Sequence, residues 1–74
     1  MYYIAIGKFA WGKGKTQAAA LANMRKHLSD KTARNQYVLF ETDDKTAYVN
    51  WLGNIVATSE PREIKRVGIA KETA

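Results

Sequence analysis

A single segment of this chain has helical character. Residues 17–28 are rich in alanine and other strong helix formers, and they follow Thr16, whose hydroxyl can cap a helix N-terminus. Four apolar side chains in this segment recur at helical spacing and predict a stripe that packs on the core: Ala20, Leu21, Met24 and Leu28. Strands must therefore supply most of the remaining core.

The rest of the chain is rich in β-branched and aromatic residues, which favour strands. The candidate strands are residues 2–9, 36–41, 46–52, 55–58 and 64–70. Gly53-Asn54 predicts a two-residue hairpin, and Asp43-Asp44 predicts a second turn. We therefore expect an α+β protein, a single β-α-β-β-β domain over residues 1–74 with an antiparallel sheet and one helix packed on one face.

The two predicted turns also assign side chains to the faces of the sheet. They pair Trp51 with Val56 and Val49 with Thr58, and they place Phe40 beside Ala47 and Val38 beside Val49. The face predicted to receive the helix carries Ile4, Ile6, Val38, Phe40, Ala47, Val49, Trp51, Val56, Val67 and Ile69. On this assignment Trp51 belongs to the core.

The opposite face carries Tyr37 and Tyr48 as predicted neighbours, and a second helix to cover them is not predicted. Three interpretations follow for two tyrosines on an uncovered face. They stack on nucleic-acid bases, they form a homodimer or partner interface, or the sheet curls and buries them in part.

Composition narrows the function classes. The chain has no cysteine, which excludes disulfides and thiolate metal sites, and its single histidine, His27, cannot form a cluster. No apolar run approaches the roughly 20 residues of a membrane helix, and the N-terminal residues lack the pattern of a signal peptide. We expect a cytoplasmic, non-enzymatic protein without metal or cofactor.

The net charge of +5 is concentrated in one part of the chain. Residues 8–34 contain seven basic residues and one acidic residue, a net +6, whereas the remaining residues carry −1. A one-sided basic zone is typical of proteins that bind a polyanion, and it also serves as a solvated surface that keeps a small protein soluble. Both interpretations remain open at this stage.

The segment Trp11-Gly12-Lys13-Gly14-Lys15-Thr16 is predicted to be a loop that joins a strand to the helix. It resembles a P-loop only superficially, because the required spacing of glycine to Gly-Lys-Ser/Thr fails in both registers. Two interpretations remain for this segment. Its lysines and the helix N-terminus contact phosphate, or its glycines only let the chain reverse direction.

These observations favour a non-catalytic small binding protein that contacts nucleic acid through a basic loop and helix. The predicted phosphate contacts are Lys13, Lys15, Lys26, Lys31 and Arg34. Trp11 is a predicted exposed anchor or a core residue, and Tyr37 and Tyr48 are candidates for base stacking. The alternative is a protein-binding inhibitor or accessory module, of a size compatible with phage or mobile-element origin, that docks on a protein or ribonucleoprotein through its basic zone or tyrosine face.

Overall fold

The computed structural model describes residues 1–69 of the chain. Its elements in chain order are β1 (Tyr2–Ile6), β2 (Trp11–Gly14), α1 (Gln17–Arg25), α2 (Lys31–Arg34), β3 (Tyr37–Thr42), β4 (Tyr48–Val49), β5 (Ile55–Val56) and β6 (Arg62–Val67). Four strands form an antiparallel sheet in the order β2-β1-β3-β6, and β4 pairs with β5 in a separate two-stranded sheet. The α+β class, the antiparallel sheet and its one main helix are confirmed.

Strand β2 is a correction to the sequence prediction. Residues 2–9 do not form one strand: β1 ends at Ile6, the Gly7 N–H donates to the Ala10 carbonyl at 2.8 Å, and the chain reverses into β2. Residues 11–14, which were predicted to be a loop, pair with β1 in antiparallel register. The sequence obscures this strand because glycine and lysine have low strand propensity, and pairing with β1 overrides that preference.

The two glycines of β2 allow α1 to lie directly against the strand. A Cβ atom on Gly12 would come within 2.1 Å of the Met24 backbone nitrogen, and one on Gly14 within 2.6 Å of the Ala19 Cβ. Any larger residue would push helix and strand apart. The glycines are thus required for close packing of α1 on β2, and they do not form a reversing loop.

Helix α1 begins as predicted and ends earlier. The Thr16 hydroxyl accepts a hydrogen bond from the Ala19 N–H at 3.0 Å, which confirms it as the N-cap. The last helical residue is Arg25, and residues 26–28 continue in turns. The short helix α2, which the sequence analysis did not predict, follows with Asp30 as its N-cap.

The helix packs on the sheet face opposite to the one predicted. Ala5, Tyr37 and Leu39 lie in the core beneath α1, together with Ala20, Met24, Leu28 and Ala33. Since neighbouring residues of a strand point to opposite faces, Ile4 lies on the other side, where Ala47 and Val49 cover it. The face predicted to be uncovered is buried under α1, and the face predicted to receive the helix carries the β4–β5 hairpin.

The β4–β5 hairpin differs from the prediction in register. Val49 pairs with Ile55 instead of Thr58, a shift of three residues, and residues 50–54 form the loop. The Asn50 side-chain oxygen accepts from the backbone N–H groups of Leu52 and Asn54, both at 3.0 Å, and so favours this longer loop over a two-residue turn. Trp51 therefore lies at the tip of the loop, 91% exposed, and not in the core.

Strand β3 occupies the centre of the sheet between β1 and β6, so the predicted pairing of residues 38 and 40 with the β4 segment is wrong. The predicted strand 36–41 is found at Tyr37–Thr42, one residue later. The last strand begins two residues earlier than predicted and ends at Val67; the predicted end at residue 70 lies outside the described residues.

Candidate nucleic-acid interface

The fold separates the charges of the chain onto opposite sides of the sheet. Residues 15–34, here called the helix layer, contain five basic residues and one acidic residue, a net +4. Residues 43–60, here called the hairpin layer, contain three acidic residues and one basic residue, a net −2. The molecule consequently presents a basic side and an acidic side, which is the arrangement that orients a protein on a polyanion.

The positive charge of the helix layer is not neutralised within the described residues. Two ion pairs are found in residues 1–69, Arg62 with Glu41 at 2.6 Å and Arg66 with Glu63 at 2.5 Å, and both lie on β3 and β6. The acidic residue of the helix layer, Asp30, is occupied as the N-cap of α2. None of the carboxylates in the described residues thus forms an ion pair with a basic side chain of this layer.

Three lysines of the helix layer are exposed and available to a ligand. Lys15 precedes the N-cap of α1, Lys26 follows its last residue, and Lys31 opens α2. None of the three ammonium groups has a hydrogen-bond or ion-pair partner in the described part of the chain. These three predicted phosphate contacts are therefore exposed and without a protein partner.

Arg34, another predicted phosphate contact, also holds the end of α1 in place. Its Nη1 donates to the carbonyls of Arg25 and Leu28, both at 2.9 Å, in addition to the bond that the Arg25 carbonyl accepts from the Leu28 N–H at 3.1 Å. In return the Arg25 Nε donates to the Arg34 carbonyl at 2.9 Å. Both arginines are half-buried and neither forms an ion pair within the described residues, so they add fixed positive charge to the layer.

Lys13 is not brought together with the other predicted phosphate contacts. Its Nζ donates to the carbonyls of Lys45 at 2.5 Å and Ala47 at 2.8 Å, and it lies 5.2 Å from the centre of the Tyr2 ring. In β2 it points away from α1, toward the hairpin layer. Its ammonium is thus engaged in joining β2 to the segment before β4.

The two tyrosines do not form a common surface. Tyr37 is 6% exposed beneath α1, with the Arg25 guanidinium 6.0 Å from its ring centre. Tyr48 is exposed on β4, across the sheet from Tyr37. The prediction that the two rings are neighbours is wrong. It depended on the predicted assignment of side chains to sheet faces, which the structure reverses.

A different set of aromatic side chains is exposed at one end of the molecule. Phe9 in the β1–β2 turn is 79% exposed, Trp51 in the β4–β5 loop is 91% exposed, and Trp11 at the start of β2 is 37% exposed. Trp11 is thus partly exposed, and its role as an anchor stays a prediction; the exposure of Phe9 and Trp51 was not predicted. The sequence signal for Phe9 was its position between Gly7 and Ala10, two small residues that fit a tight turn.

These three rings, here called the aromatic patch, line two adjoining grooves. The first, of about 190 Å³, lies between β2 and the β4–β5 loop and is lined by all three rings and by Lys8. The second, of about 570 Å³, lies between β2 and α1 and is lined by Phe9, Trp11, Asn23, Lys26 and His27. Through Lys26 the aromatic patch is continuous with the helix layer.

The sequence matches no model of a known protein family, and no curated protein or solved structure is significantly similar to it. Within residues 1–69 no helix is long and apolar enough to span a membrane. The same residues contain no group of three or more histidine, aspartate or glutamate side chains placed to hold a metal ion.

Proposed function

We propose that this protein is a non-catalytic, cytoplasmic nucleic-acid-binding protein whose helix layer contacts the phosphate backbone. The observation that carries the proposal is the unneutralised net +4 of residues 15–34 on one side of a sheet whose other side is acidic. Lys15, Lys26 and Lys31 are exposed and unpaired, and the half-buried Arg25 and Arg34 add fixed charge beside them.

The helix layer suits contacts that do not depend on base sequence. Lysine ammonium groups on flexible stems meet phosphates as point charges, and each contact releases condensed counterions from the nucleic acid. Three to five such contacts should give a log–log slope of affinity against salt of about −2 to −5. Such binding is strong at low salt and weak near 0.3 M.

The alternative function, a protein-binding inhibitor or accessory module, receives less support from the geometry. The tyrosine face predicted for docking is not available to a protein partner. Helix α1 covers Tyr37, and the sheet separates Tyr37 from Tyr48. A protein partner would have to use the helix layer itself or the aromatic patch. The experiment below separates a polyanion from such a partner.

The test is the salt dependence of binding to a labelled mixed-sequence oligonucleotide, measured by fluorescence anisotropy from about 50 to 300 mM salt. We expect affinity to fall with the slope given above, because the contacts are ionic. Absence of binding at about 50 mM salt would contradict the proposal. Binding that does not change with salt would contradict the phosphate-contact mechanism and favour a different class of ligand.

A further inference from the structure

The aromatic patch exposes large hydrophobic rings to solvent, which is typical of a ligand-binding surface. Within residues 1–69, Trp51 and Phe9 are the two most exposed large hydrophobic side chains, at 91% and 79%. Keeping such rings in water costs free energy that folding alone does not recover, and clustered exposed rings usually mark a binding surface. Trp51 is held outward by the loop that Asn50 ties together, so its exposure is built into the fold.

Both grooves of the aromatic patch are electrostatically positive. Lys8 lines the groove next to Trp51, and Lys26 lines the groove next to α1. No aspartate or glutamate lines either groove. Aromatic rings interleaved with cations, without carboxylates, complement a ligand that carries flat apolar rings on an anionic backbone.

Resting on the function proposed above, we propose that the aromatic patch stacks the unpaired bases of single-stranded nucleic acid. Lys8 and Lys26 hold the backbone phosphates on either side, and Phe9, Trp11 and Trp51 contact base faces. In a duplex those faces are stacked inside the helix and closed to side chains, so the patch favours a single strand over a duplex. The helix layer supplies affinity for phosphates, and the aromatic patch distinguishes a single strand from a duplex.

The two tryptophans make the proposal directly measurable. They are the only two in the sequence, and both belong to the aromatic patch. Titrating the protein with a twelve-residue thymidine oligonucleotide should quench their fluorescence, because stacked bases quench indole emission. A hairpin duplex with the same number of phosphates should bind more weakly and quench less.

The decisive variants are Phe9→Ala and Trp51→Ala, which remove highly exposed rings and should leave the fold intact. Each should weaken single-strand binding by about 5-fold or more, as expected for the loss of one stacked base, and leave duplex binding unchanged. The matched control is Tyr48→Ala, an exposed aromatic residue on β4, which should bind the single strand as the wild type does. Circular dichroism checks that all three variants are folded.

Other outcomes overturn the inference in distinguishable ways. If both variants bind the single strand as tightly as wild type, and binding remains salt-dependent, the helix layer binds nucleic acid and the patch does not. If the wild type binds neither oligonucleotide at low salt, the proposed function fails together with this inference. If the variants abolish self-association in sedimentation experiments without changing oligonucleotide affinity, the patch is an interface between copies of the chain.

Discussion

Single residues in this protein show why chemical type alone does not assign a role. Lys13 and Lys15 are two positions apart in a basic segment, yet Lys13 belongs to β2 and Lys15 follows the end of that strand, so they lie in different environments. Lys13 donates two hydrogen bonds to the carbonyls of Lys45 and Ala47, whereas Lys15 is exposed without a protein partner. We therefore expect the first lysine to contribute to stability and propose the second as a ligand contact.

Lys13→Met should therefore lower the free energy of unfolding by about 1–2 kcal/mol, because two backbone carbonyls lose a charged donor while the length of the side chain is kept. Urea denaturation measures this difference. The matched control is Lys15→Met, which should leave stability within about 0.5 kcal/mol of wild type and weaken oligonucleotide binding instead. Equal stability of the two variants would contradict the assigned roles.

At the level of single residues, the sequence was sufficient to predict features that depend only on neighbouring residues. Thr16 is the N-cap of α1 because its side chain and the following alanines suffice to specify it. Trp51 was placed in the core because the Gly53-Asn54 pair favours a short turn, and the competing hydrogen bonds of Asn50 were not recognised. Its exposure follows from a loop register that four hydrogen bonds determine together, two to the Asn50 side chain and two between backbone groups of the loop.

The elements depend on tertiary contacts more than on propensity. Strand β2 contains two glycines and a lysine and forms because β1 offers hydrogen-bond partners on one side and α1 packs on its glycines. Asn23 adds a hydrogen bond from its Nδ2 to the Lys13 carbonyl at 2.6 Å, which ties the helix to this edge strand. A strand of this kind cannot be predicted from its own composition.

The segment before β4 is organised by one carboxylate. Asp44 accepts hydrogen bonds from the Thr46 hydroxyl at 2.7 Å, the Thr46 N–H at 2.8 Å and the Thr58 N–H at 2.8 Å. These bonds, chiefly the one from the Thr46 hydroxyl, lower the pKa of Asp44 from its ordinary value of 3.8 to about 2. The ionised carboxylate therefore links the two ends of the hairpin layer.

The pH dependence of stability should reveal this link. Because the pKa of Asp44 is lower in the folded than in the unfolded chain, its contribution is present above about pH 4 and is lost as pH falls toward 2. Asp44→Asn should be less stable than wild type at pH 6, and the gap in urea midpoint should shrink between pH 4 and pH 2. Glu60→Gln serves as a control for loss of a carboxylate in the same layer, and a constant gap for Asp44→Asn would contradict the account.

The molecule as a whole combines a basic helix layer, a central antiparallel sheet and an acidic hairpin layer. The sequence was sufficient to predict the α+β class, the single main helix and the concentration of charge in residues 8–34. It was not sufficient to predict which sheet face the helix covers, because both faces of β3 are apolar: Val38 on one side and Tyr37 and Leu39 on the other are all buried. Because α1 covers the face that carries Tyr37, the candidates for base stacking are the rings of the aromatic patch and not the two tyrosines.

A pair of matched charge reversals will show whether the helix layer binds nucleic acid. Lys26→Glu and Lys45→Glu make the same change in net charge at two exposed lysines, one in the helix layer and one in the hairpin layer. Lys26→Glu should weaken binding of a single-stranded oligonucleotide at about 50 mM salt by 10-fold or more, and Lys45→Glu should change it less than 3-fold. Equal loss in both variants, or no loss in either, would contradict a binding site on the helix layer.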